Sequence, residues 1–237
     1  NGATFAKVGD VITISVSASE NIQTPTLTIA GNAAAIATGS NGERVYTATY
    51  TMQSSDNTGV IPFTVDFSDM ANNAGTQVTA VANDSDGGVT FDKQAPSFTT
   101  VTMSSNNSTS TLAIVNDVIT LNLTSEEAIK TGSDPTITVN GNTATVTRNS
   151  ATSFTATYTM SSPADDAIDG SPIPINISAY TDATGNTGTT VTATTDGSAV
   201  AYDKTLPTLG TVTIASDNTY DHLATTGDVI TLTIVSS

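Results

Sequence analysis

The sequence predicts an all-β chain built of β-sandwiches set in tandem. Three observations predict it. Apolar and hydroxyl residues alternate with a period of two through most of the chain. Clusters of Gly, Asn, Asp and Pro break that alternation roughly every 8–12 residues, which is the spacing of short strands and tight turns. The same words also return: "VGDVITISVSAS" at Val8–Ser19, "VNDVITLNLTSE" at Val115–Glu126 and "TTGDVITLTIVSS" at 225–237.

Separated anchors fix the repeat. Asp10 recurs as Asp117 and Asp228, "YTATYTM" (Tyr46–Met52) as "FTATYTM" (Phe154–Met160), and "FDKQAP" (Phe91–Pro96) as "YDKTLP" (Tyr202–Pro207). The offset grows along the chain from 107 to 111 residues, which places an insertion in "SSPADDAIDGSP" (Ser161–Pro172). The second repeat shows the elements in order. Strands are expected at Ser97–Ser104, Asp117–Thr124, Thr136–Asn140, Thr143–Arg148, Ser153–Met160, Ile173–Ala179 and Thr189–Tyr202, the last kinked at a glycine. Along the second of these, Ile119, Leu121 and Leu123 face one way and Thr120, Asn122 and Thr124 the other. "NGN" at Asn140–Asn142 is a hairpin signal. No segment carries helical periodicity. Seven such strands in about 110 residues read as an immunoglobulin-like sandwich.

The repeats divide the chain into three parts. Residues 1–93 form a first repeat without its first strand, 94–204 a complete second repeat, and 205–237 the first two strands of a third, near Thr208–Ala215 and Asp228–Val235. Two strands bury too little surface to stand alone. Either a neighbouring copy receives them or the sequence is a slice of a longer repetitive chain, and the slice is the simpler expectation.

Composition narrows the function. The chain has 22 acidic and 6 basic residues, a net charge of -16. Such a surface repels nucleic acid and anionic membranes and attracts cations. No apolar run approaches the roughly 18 residues of a membrane-spanning helix. Cysteine is absent, which removes thiol catalysis, disulfides and zinc–thiolate sites from this segment, and tryptophan is absent too.

Most of the carboxylates belong to solvated loops, but a few recur in register. Asp92 and Asp203 sit in the linkers, each followed by Lys and, four residues on, by Pro. Glu20 and Glu127 follow the second strand, the latter preceded by Glu126. Asp69 and Asp182 open the loop before the last strand. Sandwich topology brings the linker, the loop after the second strand and the loop before the last to one pole. Asp92, Glu127 and Asp182 are therefore expected to converge between the first and second repeats, with Glu126 and the backbone at 184–186 nearby. Three carboxylates in oxygen-rich loops suit Ca²⁺. Glu20 with Asp69, and Asp203, would be incomplete versions of the same site. The alternative role for all of them is turn capping. Asp165, Asp166 and Asp169 in the insertion are a weaker candidate for a cation site; their spacing does not match an EF-hand loop, and a solvated acidic turn is the favoured reading.

The "DK-x-x-P" linker, the "SE" after the second strand and "D-x-x-G-N-x-G" (Asp182–Gly188) resemble the tandem Ig-like repeats of large bacterial and archaeal surface proteins, among them giant adhesins and surface-layer proteins. The likeness covers essentially the whole chain. It implies that acidic residues at these positions bind Ca²⁺ and stiffen the junction. "MANNAG" in the first repeat departs from "ATGNTG" in the second, so the resemblance implies less for Asp69.

Catalytic signatures are absent. His222 is the only histidine and falls between two strands, and no phosphate loop or HExxH pattern occurs. Five sequons occur, at Asn83, Asn106, Asn107, Asn122 and Asn176; several would arise by chance in so Thr- and Asn-rich a chain, while Asn122 and Asn176 fall on strand positions expected to face solvent, where a secreted chain could carry glycan. The first functional expectation is an extracellular structural segment, a stalk, fibre or surface-layer wall, whose partners are adjacent repeats or other copies. The alternatives are an adhesive domain binding a ligand such as cell-surface glycans, and a spacer in a secreted enzyme.

Overall fold

The computed structural model describes residues 4–37, 42–81, 88–220 and 222–236, and among these the chain is all-β. The early strands are β1 (Phe5–Ala6), β2 (Val11–Ser17), β3 (Thr26–Ile29), β4 (Asn32–Ala33), β5 (Ala35–Ile36), β6 (Val45–Thr51), β7 (Gly59–Val60), β8 (Phe63–Asp66) and β9 (Thr90–Phe91). Then come β10 (Phe98–Ser105), β11 (Leu112–Ala113), β12 (Val118–Ser125), β13 (Thr136–Val139), β14 (Asn142–Thr143) and β15 (Thr145–Arg148). They are followed by β16 (Ser153–Thr159), β17 (Ser171–Pro172), β18 (Ile175–Ser178) and β19 (Ala201–Tyr202). A hairpin of β20 (Leu209–Ser216) and β21 (Ile230–Ser236) comes last. One 3₁₀ turn, Asp166–Ile168, interrupts the strands.

The pairing pattern occurs twice. β2-β6-β5 corresponds to β10-β12-β16-β15, which has one more strand on its outer edge. β4-β3-β8 corresponds to β14-β13-β18, in matching register: Ile29 faces Phe63 as Val139 faces Ile175. β1-β9-β7 corresponds to β11-β19-β17, each with a parallel and an antiparallel pair. The positive-φ residues Ala30–Gly31 and Asn140–Gly141 make the two hairpin turns, where a left-handed backbone favours Gly and Asn. One residue is extra in the second copy. Ala179, at φ 57, lies between Ser178 and Tyr180, whereas Asp66 and Phe67 are adjacent.

By its contacts the chain gathers into two compact units. One comprises Asn1–Thr102, Leu121–Thr157 and Pro174–Gly197. Its core includes Leu27, Ala48 and Val65, the cluster of Ala6, Met52 and Phe91, and the buried Leu121, Leu123, Ile137, Phe154 and Tyr180. The other comprises Met103–Thr120, Tyr158–Ile173 and Ser198–Ser237. It buries Ala113, Ile119, Met160, Ile173, Val200 and Tyr202, while its hairpin β20–β21 keeps its apolar residues in solvent.

Most of the expected strands form within a residue or two of their expected ends. The exception is Thr189–Tyr202, where a regular strand exists only at Ala201–Tyr202. Gly197 takes a left-handed φ of 74, and side chains replace part of the ladder. Thr195 Oγ1 accepts from Val101 N (2.9 Å), and Ser198 Oγ accepts from Met103 N (2.8 Å). The short strands β11 and β17 have too few residues for a period to show.

The inserted loop is ordered by a buried carboxylate. Asp165 Oδ2 accepts from Ser161 N (2.8 Å) and from the Tyr158 hydroxyl (3.0 Å) at zero exposure. Asp56 does the same in the shorter loop, accepting from Gln53 N and Tyr50. Asp166 pairs with Lys204 (2.8 Å) and Asp169 accepts from Lys204 N and the Thr205 hydroxyl. The expected solvated acidic turn is thus a clamp on the linker. We expect Asp165→Ala to cost about 1–3 kcal/mol, the penalty for two stranded donors. Urea unfolding of the variant checks this, and a loss under about 0.5 kcal/mol, the range of an ordinary surface change, would contradict it.

Candidate metal centre

The site is built from one linker and two loops. β9 ends at Phe91, and Asp92 N still donates to Ala6 O (2.9 Å). Asp92 Oδ1 then accepts from Gln94 N (2.9 Å), an Asx turn that bends the chain out of the strand. The next residue points back: Lys93 Nζ donates to the carbonyls of Ser54 and Asp56, both at 2.8 Å. Clamping the ammonium there fixes the direction in which Asp92 leaves.

Glu127 follows β12. Glu126 N donates to Ser97 O (2.9 Å), and the Ser125 hydroxyl donates to the Glu127 carbonyl. The loop is then held from outside by Arg148, which donates to Ile129 O (3.1 Å) and Lys130 O (3.0 Å) and lies 4.8 Å over the Phe154 ring.

Asp182 is 1% exposed. Its Oδ1 accepts from Gly185 N (2.6 Å) and Asn186 N (2.8 Å), and its Oδ2 from Asn186 Nδ2 (2.8 Å). A carboxylate has about four acceptor sites, so one remains for another partner. Asn186 Nδ2 also donates to Asp92 O (3.1 Å), which ties this loop to the linker. Gly185 supplies the left-handed φ of 95 that the turn needs. Below it Gly188 lies against the Tyr180 ring so closely that a Cβ would sit 2.0 Å from a ring carbon.

Asp92, Glu127 and Asp182 come together: each offers an oxygen, and the three oxygens lie within 4.8 Å of one another. Among the described residues no Lys or Arg forms an ion pair with any of them. Two unit charges at that range repel by about 3 kcal/mol in an effective dielectric of about 20. Burial first, and then the charges of Asp182, Asp92 and Glu126, push the Glu127 carboxyl above its ordinary 4.5. The donors are all oxygen, which fits a hard divalent cation.

The other expected ligands stand apart from this group. Glu126 is exposed, and its carboxylate accepts from the Ser97 hydroxyl (3.0 Å). Glu20 is exposed. Asp69 is committed to its own turn, accepting from Ala71 N, Asn73 N and Asn73 Nδ2. Asp203 is exposed and caps Thr205 N (2.8 Å). Among the described residues no third acidic group joins any of these. The Asp69 loop nevertheless shares most hydrogen bonds of the Asp182 loop despite "MANNAG", although Asp69 Oδ1 accepts from Ala71 N where Asp182 Oδ1 accepts from Gly185 N. Asp69 N donates to Asn73 O as Asp182 N does to Asn186 O, and Gly75 N to Phe67 O as Gly188 N does to Tyr180 O. Asn72, at φ 70, stands in for Gly185. The sequence pattern did not single out the Asn186 side chain or the Lys93 clamp, although an Asn four residues after the Asp recurs in both loops.

His222 is exposed, and its ring lies edge-on to that of Tyr220 with centroids 6.4 Å apart. Of the sequons, Asn122 is exposed and Asn176 half-buried, while Asn83 lies outside the described residues.

The pH dependence follows from these carboxyls in two windows. Hydrogen bonds hold Asp69, Asp169 and Asp228 below their ordinary 3.8, and the Lys7 and Lys204 partnerships do so for Asp10 and Asp166. Their contribution is present above 3.8 and is lost as pH falls through their folded values. Glu127 has the opposite sign: the folded chain holds its proton more tightly, so stability falls as pH rises from 4.5 through its folded value. In chelator, a melting curve is therefore expected to rise with pH through the acid range and then decline. Glu127→Gln should remove the decline and leave the acid limb, and an unchanged decline would refute the assignment.

No family model matches the chain, and no curated protein matches it. Among solved structures it is similar to SGBP-B of the Bacteroides ovatus mixed-linkage glucan utilization locus, a structure in complex with a mixed-linkage heptasaccharide. The identity is 16%, the TM-score 0.23, and the match covers 90% of this chain and 47% of that one. This chain thus spans about half the length of that protein, and a likeness at that score carries no argument about fold or function.

Proposed function

We propose that this chain is a structural segment of an extracellular surface protein, made of tandem Ig-like sandwiches at 1–93 and 94–204 with the start of a third at 205–237. Its junction is stiffened by Ca²⁺ held by Asp92, Glu127 and Asp182. The observation that carries the reading is the convergence of those three carboxylates from a linker and two loops, within 4.8 Å and, among the described residues, without a Lys or Arg ion-pair partner. A cation there would neutralise the repulsion and bind the linker to both loops at once. Lys93 anchors the same linker from the other side.

The DK dipeptide then has a physical meaning: the Asp faces forward to the cation and the Lys faces back to its own repeat. Lys204 repeats the backward clamp on Asp166. Extracellular modules hold Ca²⁺ with dissociation constants of about 10⁻⁴–10⁻³ M, a range that suits a segment working outside the cell. The reading assigns no catalysis. Its partners are adjacent repeats. Among the described residues no helix is long and apolar enough to cross a membrane. The test is calorimetric titration with Ca²⁺, with small-angle scattering in Ca²⁺ and in chelator. Binding together with a narrower distribution of shapes in Ca²⁺ is the expected result, and no binding at millimolar Ca²⁺ would end the proposal.

A further inference from the structure

Two stretches of the sequence differ in one letter: "YTATYTM" begins with Tyr46 and "FTATYTM" with Phe154. The structure gives that letter a meaning. Tyr46 is buried, and its hydroxyl donates to Ile22 O (3.1 Å) in the loop after β2. Ile129 is the matching residue in the loop after β12. Ile22 N donates to Glu43 O as Ile129 N does to Ala151 O, and Ile22 pairs with Asp69 as Ile129 pairs with Asp182. Phe154 is buried like Tyr46 but has no hydroxyl to offer. Ile129 is 2% exposed, and a buried carbonyl needs a donor.

Arg148, at the end of β15, supplies it. The guanidinium lies over the Phe154 ring and gives Nη1 to Ile129 O (3.1 Å). Its other donors are taken too: Nη2 goes to Lys130 O (3.0 Å), Nε to Asp134 Oδ1 (2.9 Å), and Nη1 also reaches Ser150 O (3.4 Å). A planar fork thus holds two successive carbonyls and the carboxylate four residues on, where the tyrosine hydroxyl holds one carbonyl. What it grips is the strip that joins the two acidic loops. Ile129 forms its antiparallel bridge with Asp182, and Lys130 N donates to Thr181 O (2.8 Å). Glu127 stands two residues before Ile129. All these residues lie in the first of the two compact units.

We propose that Arg148 is a positioning residue of the cation site. It fixes the Glu127 loop against Asp182 at the spacing a cation needs, in place of the hydroxyl that Phe154 lacks. The proposal rests on the reading of Asp92, Glu127 and Asp182 as a cation site. Arg148 acts through the loop, since among the described residues its ion-pair partner is Asp134. The sign of its effect is distinctive. By charge alone, removing a cation from a chain of net charge -16 would tighten Ca²⁺ binding. By position, removing it weakens the binding.

The test uses the whole chain with Arg148→Met, which keeps an apolar arm for the Phe154 ring and removes the fork. Calorimetric titration with calcium chloride is expected to show binding weakened at least about tenfold, the lower end of what losing an outer-shell partner costs. Adding Phe154→Tyr should return the constant to within about threefold of the wild type, because a hydroxyl there reaches Ile129 O as Tyr46 reaches Ile22 O. Hydrogen exchange in chelator reads the same strip without metal. The Lys130 amide should exchange at least about tenfold faster in Arg148→Met and slow again in the double variant. The Gln23 amide, its counterpart on Ser68 O (2.9 Å), should not change. Should Arg148→Met fail to fold, Arg148→Lys keeps the charge, loses the fork and carries the same expectations. Binding that is unchanged or tighter without the fork, or a loss that Phe154→Tyr does not recover, overturns this proposal alone. A wild type that takes up no Ca²⁺ overturns the cation site and this proposal with it.

Discussion

Gly188→Ala is expected to destabilise the chain by about 3 kcal/mol or more, the upper end of what overpacking costs. A Cβ at that position would lie 2.0, 2.3 and 2.7 Å from three atoms of the Tyr180 ring, so the ring or the loop has to move. The ring has nowhere to go. Tyr180 is fully buried, packs on Phe98 at 4.8 Å, and its hydroxyl donates to Thr189 O (2.7 Å). The loop is equally fixed, because Gly188 N donates to Tyr180 O (3.0 Å). The first copy of the motif supplies the control. Gly75 stands 2.2 Å from the Phe67 ring by the same measure, but Phe67 is half-buried and borders a groove beside Val16 and Val65, so it can swing aside. Gly75→Ala should therefore cost markedly less. Denaturant unfolding of the two variants decides the matter: equal losses would show that the two rings are held alike, and a Gly188→Ala loss below about 1 kcal/mol would show that the Tyr180 ring is not pinned.

Glu127→Gln is expected to change sign with calcium. Glu127 sits among like charges, and burial together with Asp182, Asp92 and Glu126 raises its pKa. In chelator at neutral pH, removing its charge relieves repulsion, so the variant should melt above the wild type. In calcium the order should reverse. A ligand at a hundred times its dissociation constant stabilises by about 2.7 kcal/mol, and a site short of one carboxylate forfeits most of that. Binding should also tighten with pH, because the cation displaces the Glu127 proton. Asp182→Asn is the less selective probe. An amide there would set its own NH₂ against Asn186 Nδ2, so the loop should weaken with or without calcium. Thermal melts of the three proteins in millimolar calcium and in chelator read all of this. If Glu127→Gln lies on the same side of the wild type in both, the three carboxylates form no cation site.

The strands were legible because their signal is local. Ile119, Leu121 and Leu123 alternate with polar residues, and any strand with one buried face must do so. The convergence of Asp92, Glu127 and Asp182 was legible for a different reason. Repetition fixes which loops share a pole, and three loops at one pole with an acid in each leave few arrangements. The irregular stretch before Tyr202 was not legible, because its backbone partners are the side chains of Thr195 and Ser198, and a period-two pattern says nothing of those. The Lys93 and Lys204 clamps escaped too. A lysine reaching a carbonyl reads in sequence like any solvated lysine.

By itself, then, the sequence determined the all-β class, the recurrence of its pairing pattern and the loops that carry the acids, since hydrophobic alternation and turn chemistry act between near neighbours. Only the tertiary structure decided that Asp182 is buried with one acceptor site to spare, that the Tyr180 ring rests on Gly188, and that Arg148 reaches the Ile129 carbonyl as the Tyr46 hydroxyl reaches that of Ile22. Each of these depends on what stands across a gap from the residue, and that is set by packing between segments far apart in the chain.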